Sequence, residues 1–223
     1  MKNNRSALIA GATGLVGGHV LKLLLASPHY DEVIAVTRKQ IKSTNAKLRQ
    51  IVGSLGDAEE AVASAHVQTT DAFCALGTTI KVAGSQEAFR KVDFDYVVKF
   101  ARAAKAAGAT RFMLVSAIGA APLSKIFYSR IKGETEQALS DMGFEALHIF
   151  RPGLLLGDRA DTRAGESMMM KLTPLLNPLL IRRASVYKSI DAEVVAAAMV
   201  AAAESDVMGR HVYAFDEMVK LAR

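Results

Sequence analysis

The feature that most constrains this chain is the order strand, glycine turn, helix, strand at its start. Ser6-Ala-Leu-Ile-Ala10 is an apolar run that stops at Gly11, and from Leu15 to Ala26 the apolar residues recur at helical spacing, with Leu21, Leu24 and Leu25 on one side. Glu32-Val-Ile-Ala-Val-Thr37 follows the breaker Ser27-Pro28 and is β-branched enough at its centre for a strand buried on both faces. A βαβ unit is complete by Thr37, and such a unit belongs to a parallel sheet.

The alternation continues downstream. A weaker strand is expected near Leu48 to Val52, a small-residue helix near Ala58 to Ala65 and a strand at Asp71 to Leu76. A long helix from about Phe89 to Ala107 should stop at Gly108, since glycine accepts the left-handed backbone of a helix C-cap. Arg111 to Val115 reads as a strand, Tyr128 to Met142 as a helix and Glu145 to Phe150 as a strand. Strands separated by helices predict an α/β fold with a parallel sheet covered on both faces. After Arg151 the sequence turns Gly-, Pro- and Met-rich before a helix at Asp191 to Glu204, which predicts a small C-terminal substrate lobe. The expected organisation is a single domain, with a core of about residues 5–150 and a lobe of about residues 151–223. Met168, Met169 and Met170 with the leucines after them read as packing or a subunit contact within that lobe.

Composition narrows the function classes. With 223 residues, 51% hydrophobic and 22% charged, the chain can bury an ordinary globular core. Its single cysteine, Cys74, cannot form an intramolecular disulfide, which suits a reducing, cytoplasmic setting. The five histidines lie far apart without metal-ligand spacing, so no metal site is expected. The apolar run behind Lys2 and Arg5 is interrupted by four glycines, His19 and Lys22, which argues against a signal peptide. Val194 to Ala203 is far shorter than the ~20 residues of a membrane span, so no membrane segment is expected. The net charge of +6 raises the question of a polyanionic partner. Five basic residues and no acid fall in Arg38–Arg49, a compact patch that suits a small phosphate; no nucleic-acid recognition motif accompanies it.

Gly11-Ala-Thr-Gly14-Leu-Val-Gly17 lies between the first strand and the first helix, where a dinucleotide pyrophosphate would rest on the helix N-terminus. Gly11 permits the tight turn, Gly14 lets backbone N–H groups approach phosphate, and Gly17 allows close packing. Gly11, Thr13, Gly14, Leu15, Val16 and Gly17 are therefore candidate cofactor-binding residues. At the end of the second strand, where a carboxylate would bond the ribose 2′-OH of NAD, stand Thr37, Arg38 and Lys39. A carboxylate would repel a 2′-phosphate and a guanidinium pairs with it, so Arg38 and Lys39 favour NADP(H). Ser116 should emerge at the carboxyl edge of the sheet. Tyr128 and Lys132 stand four apart on one helical face, so that the ammonium favours the phenolate. A proton could then pass between Tyr128 and a carbonyl oxygen while NADPH delivers hydride and Ser116 orients that oxygen.

GATGLVGG, CALGTTIKVAGSQEAFRKVDFDYV, LVSAIGA, FYSRIKGETEQAL and IFRPGLLLGDRADTRAGE together resemble an atypical short-chain dehydrogenase/reductase of the Tat-interacting-protein-like branch, over nearly the whole chain. The resemblance implies a Rossmann doubly wound sheet, NADP(H) as cofactor, and Ser116, Tyr128 and Lys132 as catalytic residues. It also implies that Ala75, Leu76, Gly77 and Thr78 pass beside the cofactor, and that Pro152 and Gly153 back the nicotinamide. Two departures stand out. Gly53 and Ser54 replace the acidic residue that often contacts adenine, and Asp93 falls where many relatives place a relay Asn. The function expected is an NADP-dependent oxidoreductase acting on a small-molecule carbonyl or alcohol, in a monomer or homodimer. The alternative is a non-catalytic NADP(H) sensor that binds a protein partner; a sugar-nucleotide epimerase is weaker, because those enzymes usually carry a larger substrate domain.

Overall fold

The computed structural model describes residues 5–156 and 189–223. Its strands are β1 (Arg5–Ala10), β2 (Tyr30–Thr37), β3 (Leu48–Val52), β4 (Asp71–Cys74), β5 (Arg111–Val115), β6 (Ala146–Phe150), β7 (Leu155–Leu156), β8 (Ile190–Asp191) and β9 (Gly209–Tyr213). Its helices are α1 (Leu15–Ala26), α2 (Ala58–Ser64), α3 (Ile80–Ala83), α4 (Gln86–Arg90), α5 (Tyr96–Ala106), α6 (Phe127–Ser140), α7 (Ala192–Glu204) and α8 (Phe215–Leu221). Seven strands pair in parallel in the order β3-β2-β1-β4-β5-β6-β9, while β7 and β8 form a separate parallel pair. This is the doubly wound Rossmann arrangement expected from the sequence. Its strand order turns back between β1 and β4, and such switch points open a crevice at the carboxyl ends of the strands.

The near-continuous apolar strands follow from burial on both faces. Every residue of β4 and β6 is buried, and successive side chains serve opposite layers. Ile9, Phe73, Met113 and Phe150 pack with residues of α1 and α7, including Val20, Leu24, Val195 and Met199. Leu8, Cys74, Phe112, Leu114 and Ile149 pack on the other face with Val62 of α2 and Phe100 of α5. Gly108, at φ +95°, takes up the left-handed backbone beyond α5 as expected.

The expected lobe boundary at Arg151 needs correction. Helix α7 belongs to the main core against α1, and β9 completes the main sheet beside β6. The alanines of α7 explain the close fit, since Ala196, Ala198, Ala202 and Ala203 are all buried with no side chain to hold the helices apart. The rest of the expected lobe, with Met168, Met169 and Met170, lies outside the described residues.

At the β6–β9 edge, His148 and His211 pair across the strands and stack with ring centroids 5.7 Å apart, and Tyr213 lies 5.7 Å from His148. His148 is fully buried and its Nδ1 lies 2.8 Å from the Tyr213 hydroxyl. Burial, reinforced by nearby His211, pushes the imidazole down to about 4. The unfolded chain therefore takes up a proton near pH 6.5, where the folded chain does not, so stability falls as pH drops from about 6.5 to about 4. The loss from this group should reach about 2 kcal/mol once solvent near the sheet edge is allowed for. Urea titrations across that range should show it, and His148→Gln should remove this part of the slope. A slope unchanged in the variant would assign the acid sensitivity elsewhere.

Candidate cofactor and catalytic site

The glycine turn is built as the spacing requires. Gly11 has φ +85°, and a Cβ there would stand 2.6 Å from the Ala75 carbonyl carbon and oxygen. The turn and the exit of β4 therefore touch backbone to backbone, and Ala75 N–H donates to the Ala10 carbonyl at 3.0 Å. Gly17 packs more closely than a strand contact alone would demand. A Cβ on Gly17 would lie 2.0 Å from the Gly11 carbonyl oxygen, so α1 presses on the turn itself. Gly14 is the helix N-cap, and it and Thr13 are exposed, with Leu15 half-buried and Val16 buried behind them.

Helix α1 starts with no capping side chain and no acidic residue in its first turn, whereas α2, α4 and α8 each carry Glu or Asp there. Free N–H groups and the positive end of the helix dipole thus face outward from an exposed glycine cradle, the donor set a pyrophosphate needs. The residues present fit a dinucleotide. Arg38 and Lys39 stand exposed just beyond β2, in a turn closed by Thr37, whose hydroxyl donates to the Lys39 carbonyl at 2.8 Å. Among the described residues neither side chain has an ion-pair partner.

Beyond β4, Leu76 is buried, Gly77 is exposed and Thr78 is half-buried. The Thr78 N–H donates to Asp93 Oδ2 at 2.9 Å. Asp93 sits in a π-helical turn, Lys91–Asp95, that joins α4 to α5, and its Oδ1 lies 2.7 Å from Lys132 Nζ. Asp93 is fully buried and Lys132 only 6% exposed. Burial by itself would lower the Lys132 ammonium, but the Asp93 carboxylate and the neighbouring Tyr128 more than offset it and hold the group above its usual value. Lys132 is therefore a protonated, charged donor at neutral pH.

Tyr128 opens α6 one turn before Lys132. It is half-buried, and its ring packs on Phe89 of α4 with centroids 5.4 Å apart. Gly133 permits the approach of the preceding loop, since a Cβ there would lie 2.2 Å from the Ala121 carbonyl carbon. Pro152 and Gly153 leave β6 at the same carboxyl edge, and Ile118 N–H donates to the Pro152 carbonyl at 3.0 Å.

Ser116 follows β5 and is held by Glu136. Its hydroxyl donates to Glu136 Oε1 at 2.5 Å and makes no hydrogen bond with Tyr128. The physical reason is Glu136, a carboxylate with a side chain only 3% exposed that gathers donors: Ser116, both arms of the Arg151 fork, and Arg210 at 3.6 Å. Ser116 thus belongs to a buried polar cluster that ties β5, β6 and β9 to α6. Sequence reasoning missed Glu136 and Gly133; the signal for the latter was a glycine inside a helix directly after Lys132. Cys74 is buried, and burial pushes its thiol up to about 12, which makes it an inert core residue.

Comparison with known proteins agrees with the geometry. A family model described as NAD(P)H-binding matches residues 11–206. The chain belongs to this NAD(P)H-binding family. Within the family it is 36% identical over 170 residues to protein HTATIP2 of Rattus norvegicus, covering 75% of this chain and 70% of that protein. It is 37% identical over 159 residues to the mitochondrial protein FMP52-1 of Scheffersomyces stipitis, covering 71% of this chain and 70% of that one. These relatives place it in the atypical short-chain dehydrogenase/reductase branch. Among solved structures, a UDP-N-acetylglucosamine 4-epimerase from Methanobrevibacter ruminantium M1 superposes with a TM-score of 0.68 at 15% identity, covering 99% of this chain and 81% of that one. The Bordetella bronchiseptica enzyme WbmH, solved in complex with NAD+, gives 0.66 at 17% identity, covering 94% and 75%. At such identities the likeness is one of fold. Among the described residues of this NAD(P)H-binding protein no helix is long and apolar enough to cross a membrane.

Proposed function

We propose that this NAD(P)H-binding protein is an NADP(H)-dependent oxidoreductase of a small carbonyl or alcohol substrate, with Tyr128 as general acid and base. The observation that carries the reading is the Tyr128–Lys132 pair at the carboxyl edge of the sheet, beside the turn Gly77–Thr78 and the glycine cradle. When bound, the cofactor supplies or accepts the hydride. In reduction the Tyr128 hydroxyl gives its proton to the substrate oxygen; in oxidation the phenolate takes it back. The buried Lys132 ammonium, one turn along α6 from that phenol and held by Asp93, offers donors to the cofactor ribose. Arg38 and Lys39, free of carboxylate partners among the described residues, support NADP(H) over NAD(H). The buried free thiol Cys74 suits a reducing compartment, either cytoplasmic or, as in the names of the FMP52 relatives, mitochondrial.

A second reading has one specific observation behind it. The Ser116 hydroxyl donates to Glu136 and not to Tyr128, which supports a non-catalytic NADP(H) sensor that docks on a protein partner. Consumption of NADPH by the wild-type protein over a panel of aldehydes and ketones separates the two. The oxidoreductase reading expects turnover with some member of the panel; the sensor reading expects tight NADPH binding and no consumption with any.

A further inference from the structure

We propose that Asp93 is a positioning residue for the nicotinamide half of the cofactor, acting through Lys132 and the Gly77–Thr78 turn; this rests on the cofactor reading above. Asp93 binds two elements at once. Its Oδ1 holds the Lys132 ammonium at 2.7 Å and its Oδ2 holds the Thr78 N–H at 2.9 Å. The carboxylate is fully buried, and carboxylates are almost never fully buried unless paired. Gly77 passes directly over the pair: a Cβ there would stand 3.5 Å from Asp93 Oδ1 and 3.6 Å from Lys132 Nζ.

The local backbone is shaped to deliver this side chain. An i→i+5 turn interrupts the helix at Lys91–Asp95, a form seen mostly as single-turn bulges and frequently found at functional sites. The Asp93 carbonyl accepts the Thr135 hydroxyl at 2.9 Å, which locks the turn onto α6 one residue triplet beyond Lys132. An asparagine in this place has one carbonyl oxygen where the carboxylate has two, so it can satisfy Lys132 or Thr78 but not both. A simple internal salt bridge on the surface would need none of this arrangement. A carboxylate that fixes an ammonium and a backbone turn on the same side of the crevice sets where both stand before ligand arrives, which lowers the ordering cost of binding.

The test compares NADPH with adenosine 2′,5′-bisphosphate, which carries the adenine half and no nicotinamide, by fluorescence and calorimetric titration of the intact protein. Lys132→Met and Asp93→Asn should each raise the Kd for NADPH about tenfold, the loss of one charged hydrogen bond, and leave the bisphosphate Kd unchanged. The double variant should lose less than the sum of the two single losses, because part of the effect of Asp93 passes through Lys132. Additive losses, equal losses for both ligands, or an unchanged NADPH affinity in Asp93→Asn would overturn the proposal. If Asp93→Asn does not fold, the wild-type protein decides: its slowly exchanging lysine ammonium resonance should shift with NADPH and stay in place with the bisphosphate, and a resonance indifferent to both overturns it. Wild type that binds neither ligand contradicts the cofactor reading itself, a separate outcome.

Discussion

Tyr128→Phe is expected to lower kcat by about 10²-fold or more while leaving NADPH affinity unchanged. Phenylalanine keeps the ring that packs on Phe89, so the start of α6 should hold its place. The substitution removes the hydroxyl alone, the only group at this position that can carry a proton to substrate oxygen. Lys132 stands one turn along α6 from that hydroxyl and stays in place in the variant. Steady-state kinetics on a substrate found in the carbonyl panel, together with an NADPH titration, checks the split. An unchanged kcat removes Tyr128 from the acid–base role; a large loss of NADPH affinity would make it a binding residue instead.

Gly17→Ala should do comparable damage by a different route. The added methyl would have to occupy space 2.0 Å from the Gly11 carbonyl oxygen and 2.6 Å from its carbon, and both are backbone atoms that cannot rotate away. Helix α1 must then move off the turn. Overpacking of this kind costs about 1–3 kcal/mol or more, and here it also pulls the helix N-terminus away from the phosphates. We expect a stability loss of about 3 kcal/mol in urea denaturation. NADPH affinity should fall by about 100-fold, the worth of a strong charged hydrogen bond. Gly18→Ala is the control, since a Cβ there meets nothing closer than the Ala12 carbonyl oxygen at 3.8 Å. A Gly17→Ala protein with wild-type affinity would mean that the glycine turn does not hold the cofactor.

Much of this site was legible because its residues sit where the chain changes from one regular element to another. Gly11, Gly14 and Gly17 mark a strand-to-helix turn, and the apolar runs of β1, β2, β4, β5 and β6 are long enough to name as buried parallel strands. What escaped was carried by weak or long-range signals. Strand β9 lies at the sheet edge and contains Arg210 and His211, so its half-exposed pattern has no buried apolar run to reveal it. Helix α7 was visible as a helix, but its place against α1 is a tertiary fact that an alanine-rich sequence does not announce. Ser116 looked catalytic by position. Only the fold shows Glu136, twenty residues on, reaching its hydroxyl across the gap between α6 and β5. The sequence marks Asp93 only by its match to a relay position, and its ion pair with Lys132 appears where the π-helical turn aims it.

Binding of a 2′-phosphorylated dinucleotide at the glycine cradle and Arg38 is tested by a paired titration with NADPH and NADH. It should be run at two salt concentrations on the wild-type protein and on Arg38→Ala. Wild type should bind NADPH more tightly, the preference should shrink at high salt, and Arg38→Ala should weaken NADPH by roughly 10- to 100-fold while leaving NADH nearly unaffected. Equal losses for both cofactors would contradict the 2′-phosphate assignment, and failure of the wild type to bind either would contradict the site as a whole.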